Sequence, residues 1–155
     1  MVSTPPFVIR SATAADIPAM VRLLETLFSI EADFMPDSAR QQRGLELLLA
    51  RGEHALLLVA ERDGGVMGMC SAQVLISTAQ GGEVALLEDV VVDVACRGEG
   101  IGAALLEQIE QWARTRGITR LQLLADRSNT PALDFYQRRG WQPTQLMAWR
   151  KFPAA

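Results

Sequence analysis

Arg97-Gly98-Glu99-Gly100-Ile101-Gly102 is the stretch from which the fold can be read. Immediately upstream, Leu86-Leu87-Glu88-Asp89-Val90-Val91-Val92 is apolar and rich in β-branched residues, the composition of a strand. Immediately downstream, Ile101, Leu105, Ile109 and Trp112 recur on one stripe, joined by Ala104 and Gln108, and predict an amphipathic helix. A strand, a glycine turn and a helix in that order leave backbone N–H groups unpaired at the helix start, with the helix dipole behind them. Such a start is a ready site for phosphate. The glycines let the backbone approach an anion and reach φ values that other residues avoid. Arg97 adds a fixed positive charge at the mouth, and the whole reads as a pyrophosphate cradle.

The bulk composition is that of one globular domain. A chain of 155 residues, 49% hydrophobic and 21% charged, can bury a substantial core and is not expected to be disordered. We therefore expect a single domain over residues 1–155, with an ordered core from about residue 7 to residue 152. A formal charge of −3 lacks the basic face that nucleic acid would require, so no nucleic-acid partner is expected. No apolar run approaches the ~18 residues of a membrane span, and Met1-Val2-Ser3-Thr4-Pro5-Pro6 lacks the basic and apolar regions of a signal peptide. Cys70 and Cys96 have no metal-like spacing and suit a reducing cytoplasm, and His54, the single histidine, cannot make a zinc site alone. No metal and no membrane association are expected.

Taken in order, Phe7-Val8-Ile9-Arg10 predicts a short strand, and Thr13 with Asp16 a capping box opening a helix through Ile17, Met20, Val21, Leu24, Leu27 and Phe28. Ser38 with Gln41 predicts the cap of a second helix through Leu45, Leu48 and Leu49. A strand over 55–62, the turn Asp63-Gly64-Gly65, a strand over 66–77 and a return over 83–93 follow. After the long helix, closed by Gly117, come a strand over 120–125 and a short helix entered at Asn129 or Thr130 and stopped at Gly140. Trp141 to Phe152 predicts a final strand pair. The expected fold is α/β, a single mixed, mostly antiparallel sheet flanked by helices in the order β-α-α-β-β-β-α-β-α-β-β.

Gly98-Glu99-Gly100-Ile101-Gly102-Ala103 also satisfies the G-x-G-x-x-A dinucleotide fingerprint, with Asp126 at the end of the next strand. A doubly wound sheet needs several more βα units than the remaining chain supplies, and the antiparallel strands before the turn do not suit it. A P-loop fails, since no Gly-Lys-Ser/Thr follows. A third reading is a coenzyme A site. Arg97-x-x-Gly100-x-Gly102 resembles the Q/R-x-x-G-x-G/A motif of the GCN5-related N-acetyltransferases, and Asn129-Thr-Pro-Ala-Leu-Asp-Phe-Tyr136 with Gln-Arg-Arg-Gly140 is similar to that family's next block. Phe7 to Asp16 resembles its opening strand and helix, so the likeness covers most of the chain. Within the superfamily, Leu87-Glu88-Asp89 and Asn-x-Pro before Phe-Tyr are most similar to the diamine acetyltransferases.

That resemblance implies the acyl-CoA N-acyltransferase fold and an enzyme that moves an acetyl group from acetyl-CoA, as co-substrate, to a primary amine by direct attack in a ternary complex. It implies that Gly98, Glu99, Gly100, Ile101, Gly102 and Ala103, beside Arg97, hold the pyrophosphate. It also implies that Val90, Val91 and Val92 lend backbone bonds to the pantetheine arm where two strands part, and that Asn129 and Ala132 help hold the arm. Tyr136 takes the family's general-acid place. A phenol near pKa 10 can protonate a thiolate of pKa near 8.5 with little penalty.

The amine must shed a proton first. At a lysine-like pKa near 10.4 this costs roughly 4 to 5 kcal/mol at pH 7, so a positioned base is useful. Glu88 interrupts an apolar strand upstream of the turn, and strand alternation is expected to set Glu88 and Asp89 on opposite faces. By resemblance to the diamine enzymes, Glu88 is the amine-binding carboxylate or base, and Ile30 and Glu31 stand where an acidic residue contacts the amine chain. Asp33 and Asp37 would add attraction for a cation. The hairpin lacks the aromatics of the diamine pattern, carrying Val74-Leu75-Ile76-Ser77-Thr78-Ala79-Gln80, so the expected acceptor is a small-molecule amine of unspecified type. A peptide N-terminal acetyltransferase and a silent acyl-CoA-binding module are the alternatives. Family habit implies a homodimer.

Overall fold

The computed structural model describes residues 6–30 and 37–154, with only the backbone described at Ile30. The chain forms two compact units, residues 1–123 and 124–155. The first holds five strands, β1 (Val8–Ser11), β2 (Ala55–Arg62), β3 (Gly65–Ser77), β4 (Gly82–Val92) and β5 (Leu121–Leu123), and three helices, α1 (Ile17–Ile30), α2 (Ser38–Ala50) and α3 (Ile101–Arg116). The sheet order is β1-β2-β3-β4-β5, antiparallel throughout except for the parallel β4–β5 pair. This is the mixed, mostly antiparallel sheet that the sequence predicts.

Strand alternation sorts the core into two faces. Leu57, Val59, Met69 and Val91 pack with Ile17, Met20, Leu23 and Leu24 of α1 and Leu45 of α2. On the other face, Ala60 pairs with Gly68, Cys70 and Ala72 follow, and α3 lies over them. The small residues set how closely that helix approaches. A Cβ on Gly68 would stand 2.9 Å from Cγ2 of Ile101 and 3.3 Å from the Val91 carbonyl oxygen. Gly68 is therefore the seat of the first turn of α3, and it fixes where the helix begins relative to β4.

The edge of the sheet is tied by charge. Asp16 returns its carboxylate to the Thr13 N–H at 2.8 Å, as the capping box predicts. It also accepts a two-pronged bond from Arg10, at 2.8 and 2.9 Å, while Nε of Arg10 donates to Glu61 at 2.5 Å. The guanidinium holds the Asp16 carboxyl down at about 2. The stabilisation is present above the ordinary carboxylate value and is lost as pH falls through about 4 toward 2, an effect on the order of 2 kcal/mol. Denaturant midpoints measured between pH 7 and pH 2 should show this loss, and Asp16→Asn should remove the corresponding slope.

The second helix opens one residue earlier than expected. Asp37 is its cap, accepting from the Arg40 N–H at 3.2 Å, and Ser38 is the first helical residue. Aspartate, like serine, accepts from the free amides of a helix start, and the chain uses the one whose backbone is extended.

The second unit contains one helix, α4 (Thr130–Arg138), capped by the Asn129 side chain with Pro131 in its first turn. The final strand pair expected between Trp141 and Phe152 is absent among the described residues, which show no strand after Leu123. An apolar, β-prone segment becomes a strand only where another strand supplies ladder bonds, and among the described residues of this unit no strand does so. The segment instead makes a local bond, the Leu146 N–H donating to the Thr144 hydroxyl at 3.2 Å, and leaves Leu146, Met147, Trp149 and Phe152 exposed.

Candidate functional site

Two irregularities in β4 and its continuation build the site. The first lies within the strand. Cys70 pairs with Val90 and Ala72 with Leu87, so Glu88 and Asp89 together stand opposite Ser71. This is a β-bulge, with one residue more on β4 than on β3. Asp89 lies on the face of Ser71, whose hydroxyl donates to it at 3.0 Å from a fully buried position. Glu88 is exposed. Burial and the Asp89 charge together push the Cys70 thiol well above its ordinary value, which keeps it a protonated core residue.

The second feature is the end of the β4–β5 ladder within the first unit. The β4–β5 ladder ends at Leu87 and Leu123, while β4 runs on to Val92. On that side Val90, Val91 and Val92 have no strand partner among the described residues. Their side chains are partly or fully buried.

Beyond Val92 the chain is pinned and then turned. The Asp93 N–H donates to the Met67 carbonyl at 2.7 Å, and the Asp93 side chain accepts from the Ala95 N–H at 2.9 Å. One turn of 3-10 helix, Val94–Cys96, leads into Gly98 and Gly100, at φ +81° and +85°. Both are left-handed conformations that side chains other than glycine's rarely tolerate. Nothing lies within 4 Å of where a Cβ would project from either residue. The Ala104 N–H donates to the Gly100 carbonyl at 3.0 Å, and no side chain caps the helix. The amides of the turn before Ala104 therefore have no intrahelical acceptor. Open space, free amides and a helix dipole fit a diphosphate.

A residue that sequence reasoning missed also reaches this turn. Arg62, the last residue of β2, approaches both carboxylate oxygens of Glu99 at 3.4 Å and the Cys96 sulfur at 3.5 Å. Nothing in the sequence marks this pairing beyond the tight hairpin after Arg62.

Glu88, Val90, Val91, Val92 and residues 97–103 thus form one continuous strand–turn–helix. Asn129, Ala132 and Tyr136 are described within the second unit. There Oδ1 of the Asn129 side chain accepts from the Ala132 N–H at 3.3 Å. The Tyr136 ring lies edge-on to Phe135 and Trp141, with centroids at 5.4 and 6.0 Å, and the Trp141 N–H donates to the Tyr136 carbonyl at 3.1 Å. Of the acceptor residues, Glu31 and the Ile30 side chain lie outside the described residues, as does Asp33. Asp37 is committed to its cap and to Arg40 at 3.4 Å, which offsets the attraction expected of it. Among the described residues no group of His, Cys, Asp and Glu is placed to hold a metal ion, and no helix is long and apolar enough to cross a membrane.

The sequence profile of the acetyltransferase (GNAT) family matches residues 19–141. The chain is 27% identical over 148 residues to an aminoglycoside N(6')-acetyltransferase type 1 of Stenotrophomonas maltophilia, covering 94% of this chain and 92% of that protein. It is 32% identical over 123 residues to an IAA acetyltransferase of Azospirillum brasilense, covering 79% and 76%. It spans only 37% and 44% of the length of two other curated relatives that it matches. Among solved structures, a transcriptional regulator from Bacillus halodurans superposes with a TM-score of 0.80 at 25% identity, over 94% of this chain and 99% of that one.

Proposed function

The chain belongs to the acetyltransferase (GNAT) family and is an acyltransferase enzyme, and from that standing we propose that it transfers an acetyl group from acetyl-CoA to a primary amine of a small molecule. The observation that carries the reading is the β4–turn–α3 segment, where β4 runs beyond its last described partner on β5 into a glycine-turned helix start with no side-chain cap. Bound acetyl-CoA would supply the thioester to be attacked. The chain's own residues divide the remaining work.

Amides of residues 98–103, with Arg97 beside them, receive the diphosphate, which replaces the acceptors that the helix start lacks. The backbone of Val90, Val91 and Val92 aligns the pantetheine arm as an added strand would, and an N–H of that edge polarises the thioester carbonyl. Asn129 and Ala132 support the arm. Glu88, exposed on the bulge, binds the amine and takes its proton, directly or through water. Tyr136 gives a proton to the departing thiolate. Attack is direct in a ternary complex, so no acyl-enzyme is required.

The aminoglycoside acetyltransferase relative supports a small polar amine as acceptor, and the diamine likeness of Leu87-Glu88-Asp89 supports a cationic one. Thiol release from acetyl-CoA, followed against aminoglycosides, diamines, monoamines, amino acids and peptides, tests the proposal. We expect turnover with at least one free amine and none with peptides. Turnover with peptides alone would move the function to protein N-termini, and binding of acetyl-CoA without turnover would leave only an acyl-CoA-binding module. Sedimentation of the same preparation tests the homodimer that we propose with it.

A further inference from the structure

We propose that Arg62 is a positioning residue of the diphosphate cradle, which cancels the charge of Glu99 and keeps that carboxylate from opposing the incoming dianion. The inference rests on the coenzyme reading above and adds a residue from outside the β4–α3 segment. Its starting point is an oddity of the turn: the chain places an acid, Glu99, between the two left-handed glycines whose amides would meet phosphate.

Charge around the turn is otherwise poorly suited to an anion. Residues 93–99 carry Asp93 and Glu99 against the single cation Arg97. One of the Asp93 oxygens is occupied by the Ala95 N–H, but its charge remains. Left alone, this segment would repel the group that its amides invite. Arg62 corrects the balance from another strand. Its Nη1 stands 3.4 Å from both Glu99 oxygens and its Nη2 3.5 Å from the Cys96 sulfur, so one guanidinium spans the turn on both sides of Arg97.

The hairpin holds Arg62 there. Arg62 pairs with Gly65 across the β2–β3 turn, and Met67, two residues on, accepts the Asp93 N–H at the entrance to the cradle. The same hairpin thus carries the turn's anchor and its counter-charge. Both partners of the ion pair are part-exposed, at 30% and 41% for the side chains. Such a pair adds little to folding stability. Its consequence is the local field at the phosphate site, which explains why a cation is invested in it.

The test is a set of acetyl-CoA titrations by calorimetry on the wild-type chain, Arg62→Ala, Arg62→Lys, Glu99→Gln and the Arg62→Ala/Glu99→Gln double variant. We expect Arg62→Ala to bind about tenfold more weakly at low salt, with the deficit shrinking as salt screens the charges. Glu99→Gln should bind no more weakly than wild type, Arg62→Lys should retain most of the affinity, and the double variant should return to within about threefold of wild type. Rescue larger than any gain that Glu99→Gln shows on its own is the decisive readout, because a side chain needed only for folding, or one that grips phosphate independently of Glu99, would give additive effects. Unchanged affinity in Arg62→Ala, or a double variant as weak as Arg62→Ala, overturns the proposal. Failure of the wild-type chain to bind acetyl-CoA would appear in the first titration and would overturn the coenzyme reading beneath it.

Discussion

Tyr136→Phe is expected to lower kcat by about 10²- to 10⁴-fold, the range over which a positioned acid contributes, while leaving acetyl-CoA affinity within roughly threefold of wild type. The substitution removes one oxygen and retains the ring. The ring sits edge-on to Phe135 and Trp141 at 5.4 and 6.0 Å, and phenylalanine keeps both contacts. A tyrosine that serves only as filler therefore predicts unchanged turnover. An acid predicts a slow step at thiolate departure, because the leaving sulfur must then take its proton from solvent. Single-turnover thiol release, compared with calorimetric binding on the same protein, separates the two. Unchanged kcat in the variant would remove Tyr136 from the mechanism and send the search for the proton donor elsewhere.

What could be read from the sequence follows the range of the interactions involved. The β4–turn–α3 segment was legible because each of its signals is local: β-branched residues, glycines and an apolar stripe, each acting over a few positions. The Asp63-Gly64 hairpin and the Thr13–Asp16 box were legible for the same reason. The bulge at Glu88 and Asp89 was not, because an extra residue on one strand is defined only by its neighbour's register and by the Ser71 hydroxyl that fixes it. Arg62 was hidden in the same way, 37 positions from the acid it meets. Gly68 looks like a defect in a strand until Ile101 of α3 is set against it. The expected strand pair after Trp141 shows the converse error. Its apolar residues satisfy a strand pattern, but the pattern says nothing of which edge would provide the ladder.

The bulge also determines what a change at Glu88 should do. Glu88→Gln keeps size and hydrogen bonding at an exposed position, so folding should be nearly unaffected, while kcat/KM for the amine should fall by about 100-fold at neutral pH. The size of the loss should depend on pH. An alkylamine of pKa near 10.4 supplies its own neutral form as pH rises toward 10, and a base is then worth progressively less. The deficit should therefore narrow by roughly an order of magnitude for each unit over which the free amine takes over. A carboxylate that only binds the ammonium predicts the same narrowing with pH but a different split, a raised KM with kcat preserved. Asp89→Asn provides the contrast. Its carboxylate is already engaged by a buried hydroxyl on β3, so loss of its charge should disturb the bulge and stability before it disturbs proton transfer. Pairing the two variants in one pH–rate series assigns the proton to one neighbour or the other. If Asp89→Asn shows the pH-dependent loss and Glu88→Gln does not, the base stands on the Ser71 side of the bulge, and Glu88 is left as surface charge.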